Sequence, residues 1–282
     1  MESGFSSPWP APAKLNLMLR IVGRRADGYH LLQTVFQFID RCDQVRFRLR
    51  ADEKILRVTE LSGVPPEQDL TVRAARVLQR RFSVPFGVDI AVEKRLPMGG
   101  GLGGGSSDAA TVLVALNHYW SLGIGRDELA EIGASLGADV PVFIGGEAAW
   151  AEGIGDELSP VELPEPWYLV AAPDCHVATD DIFGDPDLTR DSARITIRDF
   201  LAGGRGNDCV SVVMRRYPQL RAISDWMGCF GEPRLTGTGA CMFVDFDTAA
   251  EANEVLTKMP RQYGGFVARG LNHSPLWSRV HA

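Results

Sequence analysis

The chain has 282 residues, 45% of them hydrophobic and 23% charged, which is the composition of a globular protein of about two domains. A net charge of -7, a pI near 5.3 and the lack of a dense Lys/Arg tract exclude nucleic acid as an expected partner. Apolar runs are shorter than the roughly 20 residues of a membrane span, no hydrophobic leader precedes residue 11, and the five cysteines form no C-x-x-C pair. We therefore expect a cytoplasmic protein with reduced thiols.

The first third of the chain is predicted to be rich in strands. Residues 1–10 are expected to form a loose tail. From Pro12 an alternating pattern predicts a strand in which Lys14, Asn16 and Met18 share one face. Asp69 is a candidate cap for the first helix. The predicted strands cover 31–39, 44–49, 54–58 and 87–92, and the predicted helices cover 71–82, 106–120 and 126–136.

A proline-rich stretch over residues 159–167 separates this part from the rest of the chain. It predicts a boundary between an N-terminal domain, 1–160, and a C-terminal domain, 161–282. The second part mixes both element types and shows no repeat of 20 to 50 residues. Its predicted strands are 168–172, 241–246 and 265–269, and its predicted helices are 196–202, 207–216, 219–228 and 248–259.

A glycine-rich loop precedes the strongest helical pattern. Glycine at this density is favoured where the backbone must adopt positive φ or approach a ligand closely, and a helix start beside it offers N–H groups to an anion. The loop lacks the lysine of a Walker A motif, its match to G-x-G-x-x-G is weak, and a flexible hinge stays an alternative. For Asp108, stabilisation of the helix start is preferred over metal binding. The loop residues are Pro97, Met98, Gly99, Gly100, Gly101, Leu102, Gly103, Gly104, Gly105, Ser106 and Ser107.

Four further stretches are compatible with chemistry and with ordinary structure. Asp139 lies between a helix-ending glycine and Pro141, which is expected to stop the helix from resuming; it is a candidate base or a simple turn residue. Lys14 is unusual in an apolar strand. The turn at residues 27–30 presents Tyr29 and His30, and the turn L-T-G-T-G-A at 235–240 allows close backbone approach, although a hairpin and a tight turn explain them equally well.

Together the five stretches resemble, in order and spacing, the motifs of the GHMP kinases. Within that superfamily they look like those of the diphosphocytidyl-methylerythritol kinases. The resemblance implies a two-domain α+β fold with the active site in the cleft between domains. It also implies transfer of the ATP γ-phosphoryl group to the 2-hydroxyl of 4-diphosphocytidyl-2-C-methyl-D-erythritol, a step of the non-mevalonate isoprenoid route. The matching segments are P-A-K-L-N-L at 12–17, R-A-D-G-Y-H at 25–30, L-P-M-G-G-G-L-G-G-G-S-S-D-A-A at 96–110, G-A-D-V-P-V-F at 137–143 and L-T-G-T-G-A at 235–240.

The resemblance also assigns roles to residues. Asp139 matches the aspartate that takes the hydroxyl proton, and Lys14 matches the lysine that keeps it ionised and stabilises the transferring phosphoryl group. The loop at 97–107 matches the ATP site, and Mg²⁺ is expected to arrive with ATP, without a dedicated metal site in the protein. Substrate contacts are implied for Asn16, for Tyr29 and His30 with Phe183 around the cytosine, and for Gly237, Thr238 and Gly239.

One residue departs from the family pattern. Asp69 stands where the family more often has an asparagine near the nucleotide, and a carboxylate cannot donate as an amide does. Lys94 is a further candidate for the nucleotide cleft. Two alternatives stay open: another GHMP small-molecule kinase, and a non-catalytic ATP-binding regulatory module.

Overall fold

The computed structural model describes residues 4–280, and its first element is a long antiparallel pair, β1 (Trp9–Arg24) and β2 (His30–Arg50). Trp9 is buried, and its Nε1–H donates to the Tyr119 hydroxyl at 2.9 Å. The predicted loose tail is therefore wrong at Trp9 and Pro10, because a residue far along the chain anchors the indole. Residues 1–3 of that tail lie outside the described residues.

β2 joins two segments that were predicted as separate strands. The polar residues between them indicated a turn, but the Asp43 carboxylate accepts hydrogen bonds from the backbone N–H groups of Arg95 and Leu96, at 2.5 and 2.8 Å. The strand therefore continues, and a shift in the β1 register between Pro12 and Ala13 absorbs the irregularity. A buried polar residue inside a strand is tolerated because a neighbouring segment supplies its donors.

The elements predicted for the rest of the N-terminal half are observed, but one helix and two short strands, Ala149–Glu152 and Glu157–Pro160, were not predicted. Asp69 caps the first helix by accepting from Thr71 N at 2.7 Å. Pro141 was expected to stop a helix, which is wrong: it lies in the first turn of a new helix, where its missing N–H costs nothing. The elements are β3 (Ile55–Arg57), α1 (Leu70–Arg81), β4 (Gly87–Glu93), α2 (Gly104–Tyr119), α3 (Arg126–Ala134), α4 (Val140–Gly145), β5 (Ala149–Glu152) and β6 (Glu157–Pro160).

The C-terminal half contains the elements predicted for it and a few short additions. Capping boxes at Thr196 and Thr248 fix the starts of two helices. Three elements that were not predicted, α5 (Thr179–Phe183), β8 (Arg234–Leu235) and α10 (Pro275–Ser278), are too short to show a period in the sequence. The elements are β7 (Trp167–Ala171), α5 (Thr179–Phe183), α6 (Ile197–Leu201), α7 (Val210–Arg216), α8 (Pro218–Met227), β8 (Arg234–Leu235), β9 (Met242–Phe246), α9 (Ala249–Lys258), β10 (Gly265–Leu271) and α10 (Pro275–Ser278), with a 3₁₀ turn at Arg261–Tyr263.

A single mixed sheet runs through the molecule in the order β3-β4-β2-β10-β7-β9-β8, with β1 and β5 also paired to β2 and β6 to β5. The strand β10 links the two halves, because it pairs with β7 along its length and with Ile39 and Phe38 of β2 at its end. One hydrophobic cluster packs α1, α2, α3 and α4 against the N-terminal strands, and others fill the C-terminal half. The division at residue 160, the end of β6, stays a prediction.

Candidate active site

The glycine-rich loop curls into the N-terminus of α2. Gly99, Gly101 and Gly103 have positive φ values of 69°, 78° and 72°. Helix α2 begins at Gly104, two residues before the predicted start, and Gly103 caps it without a side-chain hydrogen bond. The N–H groups of the first helical turn are therefore available to a ligand, which gives the loop the character of an anion site.

The loop borders a cavity of about 370 Å³, here named the first cavity. Its walls come from the loop itself and from the segment that leads into α1. It contains almost every residue predicted to hold the nucleotide; Ser107 is the exception, since its side chain is fully buried in α2. The lining residues are Leu61, Val64, Gln68, Asp69, Leu70, Thr71, Lys94, Pro97, Met98, Gly99, Gly100, Gly101, Leu102, Gly103, Gly104, Gly105, Ser106 and Asp108.

The second small-residue turn packs directly against this loop. The Thr236 hydroxyl donates to Gly101 O at 3.0 Å and accepts from Asn16 N at 3.0 Å. A Cβ on Gly101 would lie 2.2 Å from Thr236 O, so this position admits only glycine. The hydroxyl therefore joins the loop, β1 and the C-terminal half at one point, a role that the sequence did not reveal for Thr236.

Lys14 lies at the centre of this junction, and its ammonium contacts three oxygen atoms. Its Nζ is 2.5 Å from Asn16 Oδ1, 3.2 Å from Gly101 O and 3.2 Å from Asp139 Oδ2. The side chain is 4% exposed, whereas that of Asp139 is 35% exposed. The ammonium thus has a partner for each of its hydrogens, and the carboxylate beside it can still be reached from solvent.

Asp139 is positioned by the start of α4. It occupies the N-cap position, yet its side chain makes no capping hydrogen bond. The carboxylate is therefore directed to Lys14, which links α4 to β1 by an ion pair. A carboxylate that makes no capping hydrogen bond and is oriented by a buried cation is suited to accept a proton from a substrate.

Asn16 is held on both sides. Its Oδ1 accepts from Lys14, and its Nδ2 donates to the Thr34 hydroxyl at 2.9 Å. Thr34 in turn donates to Met18 O at 2.5 Å. The predicted polar face of β1 thus contains Lys14 and Asn16 in contact, and Thr34 is an addition from β2.

A second cavity of about 310 Å³ contains both Lys14 and Asp139. It shares Gly101, Gly103 and Ser106 with the first cavity, so the two adjoin across the glycine-rich loop. The predicted residues Gly237 and Thr238 line it, whereas Gly239 does not. Its lining residues are Lys14, Asn16, Leu19, Leu32, Thr34, Phe36, Gly101, Gly103, Ser106, Ala138, Asp139, Ile154, Gly155, Thr179, Phe183, Gly237 and Thr238.

A third cavity of about 560 Å³ adjoins the second on its far side. The two share Leu32, Ala138, Ile154, Thr179 and Phe183. The predicted residues Tyr29, His30 and Phe183 all line it. The full lining is Arg24, Asp27, Gly28, Tyr29, His30, Leu32, Ala138, Ile154, Thr179, Asp180, Phe183 and Gly184.

The aromatic residues of the third cavity have distinct settings. His30 stacks on Phe183 with ring centroids 5.0 Å apart and planes 24° from parallel, while Tyr29 is 60% exposed. No base can therefore lie between His30 and Phe183, and the accessible ring face is that of Tyr29. Arg190, which the sequence patterns did not single out, donates from Nε to His30 Nε2 at 3.1 Å.

Lys94 and Asp108 form a buried cluster with Asp43 at the edge of the first cavity. Lys94 Nζ contacts the Asp43 carboxylate and lies 2.8 Å from Asp108 Oδ2. Burial and the Asp43 charge raise the pKa of Asp108 to about 7, although the Lys94 charge opposes them. The Lys94 pKa is also raised, because the Asp108 and Asp43 charges outweigh the opposing effect of burial. Lys94 carries one positive charge between two buried carboxylates, so the cluster favours a proton on Asp108.

These contacts change two interpretations from the sequence. Asp108 lies in the second turn of α2, because the helix begins at Gly104, and it pairs with Lys94 instead of stabilising the helix start. Asp69 has both carboxylate oxygens occupied within the protein: Oδ1 accepts from Thr71, and Oδ2 accepts from Arg57 Nη1 at 2.6 Å. The Asp69 side chain faces the first cavity as part of an ion pair with a buried arginine.

Three further features concern membrane helices, metal ligands and cysteines. Between residues 4 and 280 no helix is long and apolar enough to cross a membrane. The described side chains include no group of three or more His, Cys, Asp or Glu placed to hold a metal ion. All five cysteines lie in the described part of the chain, and they are free thiols.

The site and fold can be compared with known proteins. The family model of the GHMP kinases N terminal domain matches residues 69–147, which include the glycine-rich loop and Asp139. The 4-diphosphocytidyl-2-C-methyl-D-erythritol kinase of Nitrosococcus oceani is 54% identical over 268 residues, covering 95% of this chain and 96% of its own. The kinase of the same name from Pseudomonas aeruginosa strain PAO1 is 55% identical over 271 residues, 96% of each chain.

Solved structures of GHMP kinases have the same fold as this chain. A crystal structure of 4-(cytidine 5'-diphospho)-2C-methyl-D-erythritol kinase matches with a TM-score of 0.78 and 30% identity, over 94% of this chain and 99% of the other. Homoserine kinase from Cytophaga hutchinsonii shares the fold, with a TM-score of 0.67 at 14% identity over 97% and 96% of the two chains. The predicted α+β GHMP kinase fold is confirmed. The chain is a member of the GHMP kinases and, among them, of the 4-diphosphocytidyl-2-C-methyl-D-erythritol kinase family.

Proposed function

We propose that this kinase transfers the γ-phosphoryl group of ATP to the 2-hydroxyl of 4-diphosphocytidyl-2-C-methyl-D-erythritol. The observation that supports it most strongly is the position of the Lys14–Asp139 pair. The pair lies in the middle one of three adjoining cavities, with a phosphate-binding loop on one side and an aromatic pocket on the other. A donor nucleotide and a long acceptor with a nucleoside end can then meet at Asp139.

ATP is assigned to the first cavity. The free N–H groups at the start of α2 and the positive end of a 16-residue helix suit the phosphates, and Gly101, Gly103 and Ser106 extend this surface into the second cavity. The γ-phosphoryl group would lie at this shared wall. Mg²⁺ is assigned as a companion of ATP that neutralises phosphate charge, because the ATP oxygens and water can supply its octahedral ligands.

The acceptor is assigned to the second and third cavities. The pyrimidine would pack on the exposed Tyr29 ring near His30, and the methylerythritol end would extend past Ala138 and Thr179, which line both cavities. Gly237 and Thr238 would border the alcohol, and Asn16 would face it beside Lys14. Gly239 would support the turn from behind, since it lines none of the three cavities.

The chemistry at the second cavity needs few groups. The hydroxyl O–H bond breaks as Asp139 takes the proton, the hydroxyl oxygen forms a bond to the γ-phosphorus, and the bond between that phosphorus and the β–γ bridging oxygen breaks to release ADP. The Lys14 ammonium, fixed by three oxygens, orients the Asp139 carboxylate and lies near the charge that develops on the transferring group. Orientation and charge neutralisation supply most of the rate enhancement.

Substrate turnover tests this proposal. The panel is 4-diphosphocytidyl-2-C-methyl-D-erythritol, homoserine, mevalonate and galactose, each with ATP and Mg²⁺, followed by phosphorus NMR of the product. We expect turnover of the cytidyl substrate alone, with a new phosphomonoester at the 2-position, and none when Mg²⁺ is chelated. Turnover of another alcohol would assign a different GHMP activity, and a folded chain that binds ATP but turns over nothing would favour the regulatory alternative. A cytoplasmic location, with a small molecule as the only partner, completes the proposal.

A further inference from the structure

Arg190 contacts His30 from behind the third cavity and is itself rigidly held. Its Nε donates to His30 Nε2 at 3.1 Å. Its remaining nitrogens donate to the backbone carbonyls of Leu188 at 3.0 Å and of Phe183 and Asp185 at 2.8 Å each. The guanidinium therefore joins the end of α5 to the histidine that stacks on it.

We propose that Arg190 is a positioning residue that holds His30 as the neutral tautomer with its hydrogen on Nδ1, so that the third cavity selects a ligand with a hydrogen-bond acceptor there. The inference rests on the proposed function for the identity of that ligand. It assigns to Arg190 a role in base recognition without direct contact with the base.

The tautomer follows from the donor inventory of the two side chains. A guanidinium has five N–H donors and no acceptor, and it does not lose its proton in proteins. The nitrogen of His30 that accepts from it must therefore carry a lone pair, which leaves the hydrogen of the neutral ring on Nδ1. A doubly protonated ring would place an N–H against the Arg190 N–H and lose this hydrogen bond.

The charges around the ring favour the neutral form. Burial, the Arg190 charge and the Arg24 charge lower the pKa of His30, in that order of size. The other charged residues that line the same cavity are Asp27 and Asp180. Asp27 is paired with Arg25 at 2.8 Å, and neither Asp27 nor Asp180 is among the groups that shift the His30 pKa.

The remaining ring nitrogen is available to a ligand. Within residues 4–280, His30 Nδ1 has no hydrogen-bond partner, and the residue lines the cavity. An Nδ1–H group there matches a pyrimidine that presents a ring acceptor, as cytosine does through O2 and N3. The exocyclic amine of cytosine is a donor and would be rejected at this point. The tautomer would thus determine which edge of the base faces His30.

Nitrogen-15 NMR of the full-length chain reads the tautomer directly. The His30 signals are identified by their loss in His30→Gln, and spectra are recorded near neutral pH with and without cytidine 5'-diphosphate as probe. We expect an unprotonated Nε2 and a protonated Nδ1 in the free protein, with the Nδ1 signal shifted by the probe. A ring with hydrogen on Nε2, or on both nitrogens, would overturn the proposal in the unmodified protein, whether or not any variant folds.

Two variants separate the hydrogen bond from the charge. Arg190→Met removes the guanidinium donors and offers no amide in their place, so the hydrogen should be free to move to Nε2 and the His30 pKa should rise. KM for the cytidyl substrate should rise about 10-fold while KM for ATP is unchanged. Arg24→Gln removes a charge but leaves His30 Nε2 untouched, so the Nδ1 tautomer should persist. An Arg190→Met protein that keeps an unprotonated Nε2 would contradict the proposal. The spectra do not depend on turnover, so an incorrect substrate assignment would show only in the kinetics.

Discussion

Asp108 shows how one buried carboxyl group can make stability depend on pH. Its folded pKa of about 7 lies above the ordinary value of 3.8, so the folded chain retains a proton that the unfolded chain releases. Stability from this group is therefore present at low pH and is lost as the pH rises from about 4 to about 7. The cause is burial beside Asp43, with Lys94 able to balance only one of the two carboxylates.

Asp108→Asn should remove this dependence, because the amide mimics the protonated group. We expect the free energy of unfolding of the natural chain, relative to the variant, to fall between about pH 4 and about pH 7 and to level off above that. Urea unfolding at several pH values measures it. A difference that is flat or rises over this range would mean that Asp108 is ionised throughout.

Asp69 has a second partner that explains why it can replace an amide. Arg57 is 6% exposed and depends on Asp69 for its counter-charge. Asp69→Asn should therefore destabilise the fold by about 3–5 kcal/mol, because it leaves a buried charge unpaired. The double variant Arg57→Met with Asp69→Asn should recover most of this loss in denaturant unfolding. Equal stability of the single and double variants would show that the unpaired Arg57 charge does not cause the loss of stability.

Elements of the fold differ in how well the sequence predicts them. The long amphipathic and apolar patterns locate α1, α2, α3 and α9 within about two residues of their observed bounds, because period and capping are local signals. The short α4 was missed because Pro141 indicated a stop, although it lies in the first turn of the helix. The continuous β2 was missed because its Asp43 depends on distant backbone donors at residues 95 and 96. Likewise Arg190 and Thr236 have roles only through contacts between remote segments.

The glycine-rich loop gives a test at the scale of the element. Gly101→Ala should abolish ATP binding and lower Tm, because its φ is positive and a Cβ would meet Thr236 O at 2.2 Å. Gly105→Ala is the matched control: it lies in the first turn of α2, where the nearest atom to a Cβ is Leu70 Cδ1 at 3.8 Å. The control should keep or raise Tm by the helix-forming preference of alanine. An unchanged ATP affinity and Tm in Gly101→Ala would contradict the close packing of the loop on Thr236.

At the scale of the whole molecule, the last elements of the chain pack against its first strands. Helix α10 packs on β1, Leu276 is fully buried in the N-terminal cluster, and Trp277 Nε1–H donates to Ile144 O at 2.8 Å. The strand β10 also pairs with β2. The N-terminal half therefore includes residues from the end of the chain. A division of the sequence at residue 160 assigns those residues to the other domain.

Leu276→Ala should therefore lower the stability of the chain as one unit, by about 2–5 kcal/mol for a deleted buried side chain. Leu201→Ala, at a position that is 56% exposed, is the control and should change little. Calorimetry should show one transition that shifts to lower temperature. Two transitions, of which only the first moves, would instead support independent domains.

In the proposed reaction Asp139 accepts the substrate proton, and the Lys14 ammonium keeps the Asp139 carboxylate in position. The most direct measurement is kcat for Asp139→Asn with saturating ATP and cytidyl substrate, beside Asp127→Asn, an exposed aspartate in the first turn of α3. We predict that kcat falls by about 10²–10⁴-fold in the first variant with Tm nearly unchanged, and that the second matches the natural chain. A normal kcat in Asp139→Asn would contradict the assignment of the base.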